Sequence, residues 1–244
     1  MQLDAPQREP RVARARGRAR DSPATFRVRF ETTAGDFSVE CTREWAPNGV
    51  DRFYNLVKLG FFDDVAFFRV VRDPVPFVAQ FGIHGVPDVA SKWANANIAP
   101  DAPKKSNTRG KLTFAMADNP GTRSTQLFFN YGDNRRLDGM GFAPVCEVAG
   151  DGMTVVDKLH AGYGESITDR QGKIMSSGNE YLKKEWPKLD YIKSVPRGPR
   201  RSGDLELGGP LREAVRCALI AAHLEGNVSL EPRRLVVIER ARIR

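Results

Sequence analysis

FRVRFETTAGDFSVEC, residues 26–41, alternates apolar and polar side chains on both sides of an Ala-Gly step. A period of two interrupted by a glycine-containing turn is the signature of a β-hairpin, so the folded unit opens with two antiparallel strands. Downstream, Val50, Phe53, Leu56 and Val57 recur at helical spacing after Pro47, a residue tolerated in a first helical turn, and Gly60 ends the run. Short strand-like stretches follow at AFFRVV (66–71), FVAQFG (77–82), KLTFAMA (111–117), QLFFNY (126–131) and FAPVCEV (142–148). A second helical pattern is expected at MTVVDKLHAG (153–162), and LDYIKSV (189–195) reads as a last strand. Many short strands with two helices predict a mainly β unit, a closed antiparallel barrel or a sandwich, rather than a parallel sheet.

Upstream and downstream of this unit the composition changes. The formal net charge of +8 is unevenly placed: residues 1–24 carry six Arg against three acids, and residues 197–244 carry ten Arg against six acids. The central part keeps 22 of 38 basic and 21 of 30 acidic residues, and every lysine lies between Lys58 and Lys193. Three units are therefore expected: a disordered Arg-rich arm over 1–23, a globular domain over 24–196, and an Arg-rich extension over 197–244 made of a linker and a possible short helix and strand. The arms lack interleaved aromatics, so nucleic acid is not the expected partner. No apolar run is long enough to span a bilayer, and no apolar stretch follows the basic N-terminus, which makes the cytoplasm the default expectation.

The sequence carries no pattern for metal, nucleotide or acyl-enzyme chemistry. His84, His160 and His223 are far apart; Cys41, Cys146 and Cys217 have no short spacing and are expected as reduced, buried thiols; GYGES (162–166) lacks the nucleophile-elbow pattern; no phosphate loop is present. No metal and no cofactor are expected.

What remains is a constellation with one arginine, one or two amides and many apolar side chains, carried by FFRVVRDPVPFVAQFG (67–82), FAMADNPGTRSTQLFFN (114–130) and RRLDGMGFAP (135–144). With FETTAGDFSVE (30–40), FYNLVKLGFF (53–62) and VVDKL (155–159), these blocks, in this order, resemble the cyclophilin family. QGKIMSSGNEYLKKEWPKLDYIK (171–193) is similar to the C-terminal part of certain bacterial members. The resemblance implies a closed eight-stranded antiparallel barrel capped by two α-helices, and peptidyl-prolyl cis/trans isomerase activity. It further implies that Arg69 is the catalytic arginine, that Phe77, Val78, Gln80, Gln126, Phe128, Leu137 and Phe142 line the proline site, and that the Ala117–Asp118 backbone pairs with the bound peptide. The implied partners are proline-containing peptides or unfolded protein clients, met by a monomer.

These residue types suit that chemistry. An X-Pro amide rotates slowly because resonance stiffens its C–N bond, with a barrier of roughly 18–20 kcal/mol. At mid-rotation the proline nitrogen becomes pyramidal and a better acceptor, so a guanidinium aimed at it binds the twisted state more tightly than either planar state. Several features depart from the family pattern. RDPVP (72–76) lengthens the segment between Arg69 and Phe77, making Arg72 the stand-in if the register slips, and Arg136 occupies a rim position where many members carry Trp. Two rival readings stand beside the enzyme: a catalytically weak proline-peptide binding module, and a nucleic-acid or acidic-partner binder working through the arginine arms.

Overall fold

The computed structural model describes residues 21–196; the expectations for the N-terminal arm and the C-terminal extension, and for Cys217 and His223, fall outside the described residues. The opening hairpin forms as read, with β1 (Thr25–Thr32) paired to β2 (Gly35–Thr42) from Thr25↔Thr42 to Thr32↔Gly35. Helix α1 (Pro47–Leu59) starts with Pro47 and stops at Gly60, whose left-handed φ of 68° costs a glycine little. The remaining strands are β3 (Val65–Ala66), β4 (Arg69–Val70), β5 (Val78–Phe81), β6 (Lys111–Phe114), β7 (Leu127–Asn130), β8 (Pro144–Val148) and β9 (Tyr191–Ser194). Hydrogen bonding orders them β3-β9-β1-β2-β8-β6-β7-β5-β4.

The sheet has nine strands where eight were expected, and its ladder is not closed. Its two edges, β3 and β4, are consecutive in the chain and separated by Phe67 and Phe68, so the sheet curls round without hydrogen bonds across the seam. AFFRVV accordingly splits into two short strands.

The helices also differ from expectation: the described residues hold four α-helices, not two. Helix α2 (Pro87–Ala94) buries Val89, Ala90 and Trp93, and α4 (Gln171–Glu185), kinked at Gly178, buries Ile174 and Leu182. The helix expected over 153–162 is reduced to α3 (Met153–Val156). Its continuation is diverted because the Val156 carbonyl accepts the Tyr131 hydroxyl at 2.7 Å, while the His160 N–H donates to Asp190 at 2.7 Å instead of to the carbonyl one turn back.

Alternation within β5 and β7 separates two faces. Ala79, Phe81, Leu127 and Phe129 turn inward to the main core, whereas Val78, Phe128 and Leu137 form a separate outer cluster with Phe77, Ala115 and Phe142. The inner side is aromatic, with Phe30–Phe37 at 5.2 Å, Phe37–Phe129 at 5.3 Å and Phe81–Phe129 at 5.6 Å between ring centroids. Each such side chain contributes about 1.5–3 kcal/mol by full burial.

The cysteine expectation is corrected as well. Cys41 of β2 stands opposite Cys146 of β8, with Cα atoms 4.0 Å apart, and the two are joined in a disulfide. Their separation of 105 residues hides in the sequence what strand pairing brings together.

Candidate active site

The outer face of the sheet edge is built on one transverse row. Register pairs Arg69 with Gln80 across β4–β5, Gln80 with Phe128 across β5–β7, and Phe128 with Thr113 across β6–β7. The row gains a member at its open end, because an isolated antiparallel bridge sets Val70 against Gly164. In that register Glu165 lies opposite Arg69.

The RDPVP insertion does not disturb this row. It loops out between β4 and β5, closed below by Val71 N–H to Val78 O at 2.8 Å and Phe77 N–H to Val71 O at 3.0 Å, so Arg69 keeps its register. Arg72 points elsewhere: its guanidinium donates to the Asp157 carbonyl and lies 6.0 Å from the Tyr131 ring, outside the hollow.

Arg69 leans over a hollow of about 350 Å³ lined by Phe77, Val78, Gln80, Ala117, Gln126, Phe128, Leu137 and Phe142, which brings together every residue expected there except Asp118. Val78, Phe128 and Leu137 are nearly sealed, and the Phe128 and Phe142 rings meet edge-on at 5.8 Å. Phe77 is contacted by two cations, with the Arg69 guanidinium 5.3 Å and the Arg136 guanidinium 4.7 Å from its ring centroid. Asp118 is exposed on the following turn, and the Ala117 N–H donates to Thr122 Oγ1 at 2.8 Å, so a peptide meeting this segment would find the carbonyl rather than that amide.

The polar groups form a chain. Arg69 Nη1 donates to Gln80 Oε1 at 3.0 Å, and Gln80 Nε2 donates to Gln126 Oε1 at 2.9 Å. On its other edge Arg69 grips Glu165 with two bonds of 2.7 Å, from Nε and from Nη2. The Arg69 hydrogen bond holds the Glu165 carboxyl below the usual carboxylate range; partial burial opposes this, and the Thr168 hydroxyl adds to it.

Sequence reasoning missed Glu165, and with it the lining residues Ala94, Ala115, Met116, Thr122, Ser124 and Gln171. Ala94 had a findable signal, since Pro87 opens a helix whose Val89, Ala90 and Trp93 share a face. Glu165 had none, being 96 residues from its partner.

The wall carrying Thr122 and Ser124 is anchored from behind by Arg123, whose side chain is 0% exposed and is paired with Asp101 at 3.1 Å. Asp101 in turn accepts the backbone N–H groups of Asn48 and Gly49 at 3.0 and 2.9 Å, satisfying the exposed donors at the start of α1. Among the described residues no cluster of His, Cys, Asp and Glu is placed to hold a metal ion, and no helix is long and apolar enough to cross a membrane.

A family model described as cyclophilin type peptidyl-prolyl cis-trans isomerase/CLD matches residues 27–179. The chain belongs to this family. Among curated cyclophilin-type relatives, peptidyl-prolyl cis-trans isomerase B of Escherichia coli is 30% identical over 174 residues, covering 68% of this chain and 94% of that protein. A peptidyl-prolyl cis-trans isomerase of Acinetobacter baylyi is 31% identical over 141 residues, covering 56% of this chain and 72% of its own length. A crystal structure of a Cryptosporidium parvum cyclophilin type isomerase, in the presence of the dipeptide Ala-Pro, matches with a TM-score of 0.51 and 17% identity, over 72% of this chain and 100% of that one. At that identity the likeness is one of cyclophilin fold.

Proposed function

We propose that this cyclophilin-type chain turns over X-Pro peptide bonds at the hollow beneath Arg69, with residues 24–196 as the working unit. The observation that carries the reading is the placement of a guanidinium with unused N–H groups over a sealed apolar floor made by Val78, Phe128 and Leu137. A prolyl ring seated on that floor, between Phe77 and Phe142, is held still while the preceding carbonyl swings. Arg69 then donates to the proline nitrogen at mid-rotation, a bond that neither planar ground state offers as strongly. Gln80 Oε1 accepts from Arg69 and one Gln80 N–H is given to Gln126, so the second Gln80 N–H and the Gln126 amide nitrogen are the donors offered to the swinging carbonyl. No proton is transferred, and no covalent bond to the substrate forms.

The partners in this reading are proline-containing peptides or unfolded chains whose folding waits on a proline, met by a monomer. The bonded Cys41–Cys146 pair suits an oxidising compartment, which departs from the cytoplasmic expectation.

The test is cis-to-trans exchange in a short X-Pro peptide, followed by NMR. Wild type should accelerate it, and Arg69→Ala should lose about 10²- to 10³-fold in kcat/KM, the loss typical of one transition-state donor. Equal exchange with and without wild-type protein would leave the binding-module reading in its place.

A further inference from the structure

We infer that Glu165 is the positioning residue of this isomerase, fixing the Arg69 guanidinium so that its remaining N–H groups face the hollow. The inference rests on the reading of Arg69 given above. It starts from chain topology: the Val70–Gly164 bridge adds the 163–165 segment to the free edge of β4 and sets a carboxylate directly across from the arginine. The carboxylate meets the fork along one edge, accepting from Nε and Nη2 at 2.7 Å each, while Gln80 accepts from Nη1 at 3.0 Å. Three of five N–H groups are thus taken by described residues, and one on each η nitrogen is left for a ligand. A planar donor held at three points cannot rotate about its long side chain, and a flexible one would have to be ordered at every turnover.

Glu165 is itself built in. Its Oε2 accepts the Thr168 hydroxyl at 2.7 Å, and its carbonyl accepts the Thr168 N–H at 2.9 Å. On either side, Ile167 is fully buried in the second core cluster and Tyr163 packs against it, so the loop that presents the carboxylate is anchored at both flanks. Yet Glu165 does not line the hollow, and its side chain remains 53% exposed. It therefore acts on substrate through Arg69. An ion pair this exposed adds little to stability, so its removal should spare the fold.

The experiment compares Glu165→Gln, Glu165→Ala and Glu165→Asp with wild type and Arg69→Ala in the full chain. The X-Pro exchange assay reads kcat and KM, and the Arg69 Nε–H resonance is followed by ¹H–¹⁵N NMR. Glu165→Gln and Glu165→Ala should lose roughly tenfold in kcat, less than the ~10²-fold that an ångström of misplacement can cost, with KM within about twofold. Glu165→Asp should recover part of the loss, and the Nε–H signal should shift and broaden in the other two. Turnover within about twofold of wild type in Glu165→Gln and Glu165→Ala, or a loss confined to KM, overturns the inference when Arg69→Ala is impaired. If Arg69→Ala is not impaired, the assignment of Arg69 itself is what fails. Thermal melts of all four variants distinguish loss of positioning from loss of fold, and a lower melting point in Glu165→Gln accounting for its lost turnover would also overturn the inference.

Discussion

Arg123 and Arg69 are both paired with carboxylates, one behind the wall of the hollow and one at its lip. Arg123 and Asp101 keep 0% and 4% of their side chains exposed, whereas Arg69 and Glu165 keep 21% and 53%. Burying two charges costs several kcal/mol per ion, and the inner pair tolerates this because four of the five Arg123 N–H groups and both Asp101 oxygens are hydrogen-bonded. Arg123 donates to Asp101, to the Ala99 carbonyl and to the Pro120 carbonyl at 3.2 Å, and Asp101 accepts two backbone N–H groups of α1. Such a pair offers nothing to a ligand. The outer pair is more open: three of the five Arg69 N–H groups are taken, by Glu165 and Gln80, and two are left, at little cost in solvation. The same two residue types thus brace the architecture where they are enclosed and, in the proposed mechanism, serve chemistry where they are left partly open.

The comparison can be broken first at the inner pair. Arg123→Ala should cost about 3–5 kcal/mol in urea unfolding, because Asp101 is left as an uncompensated buried charge. A loss below about 1 kcal/mol would mean that the pair is not the anchor of the Thr122–Ser124 wall. Arg69→Ala should do the reverse, with turnover down about 10²- to 10³-fold and stability moved by less than about 1 kcal/mol.

A smaller effect comes from pH. The Glu165 carboxyl titrates below its ordinary value of 4.5, so its pairing with Arg69 is fully present above that value and is lost as pH falls through the lowered one. Wild-type turnover should be flat over roughly pH 6 to 9, since arginine stays charged and no acid or base is used. It should decline only on the acid side of 4.5, a limb that Glu165→Gln lacks while the protein remains folded. A bell centred near neutrality would contradict the mechanism. The smallest change is expected for Arg136→Ala, which removes an exposed cation from the Phe77 ring and should shift peptide affinity by less than about fivefold.

The legible parts of this chain are the local ones. Period-two alternation at 26–41 and the Val50–Val57 helical face each act within a few residues, and both elements form where the pattern puts them. The floor of the hollow was readable through resemblance, because Phe77, Phe128 and Leu137 sit in blocks whose order and spacing are distinctive. What could not be read depends on distant partners. The helix at Met153 stops early because Tyr131 and Asp190 compete for its next hydrogen bonds, and Cys41 meets Cys146 only through strand order. Glu165 reaches Arg69 through a bridge at Gly164 that no local pattern marks. The RDPVP insertion shows the opposite case, a departure in sequence that the backbone absorbs in a loop without moving Arg69.

The most direct measurement is the rate at which an X-Pro peptide interconverts while bound, taken from NMR exchange at saturating protein for wild type and Arg69→Ala. The account predicts a bound-state rate lower by about 10²- to 10³-fold in the variant, with peptide affinity changed by no more than about threefold. Equal bound-state rates in the two proteins would contradict it.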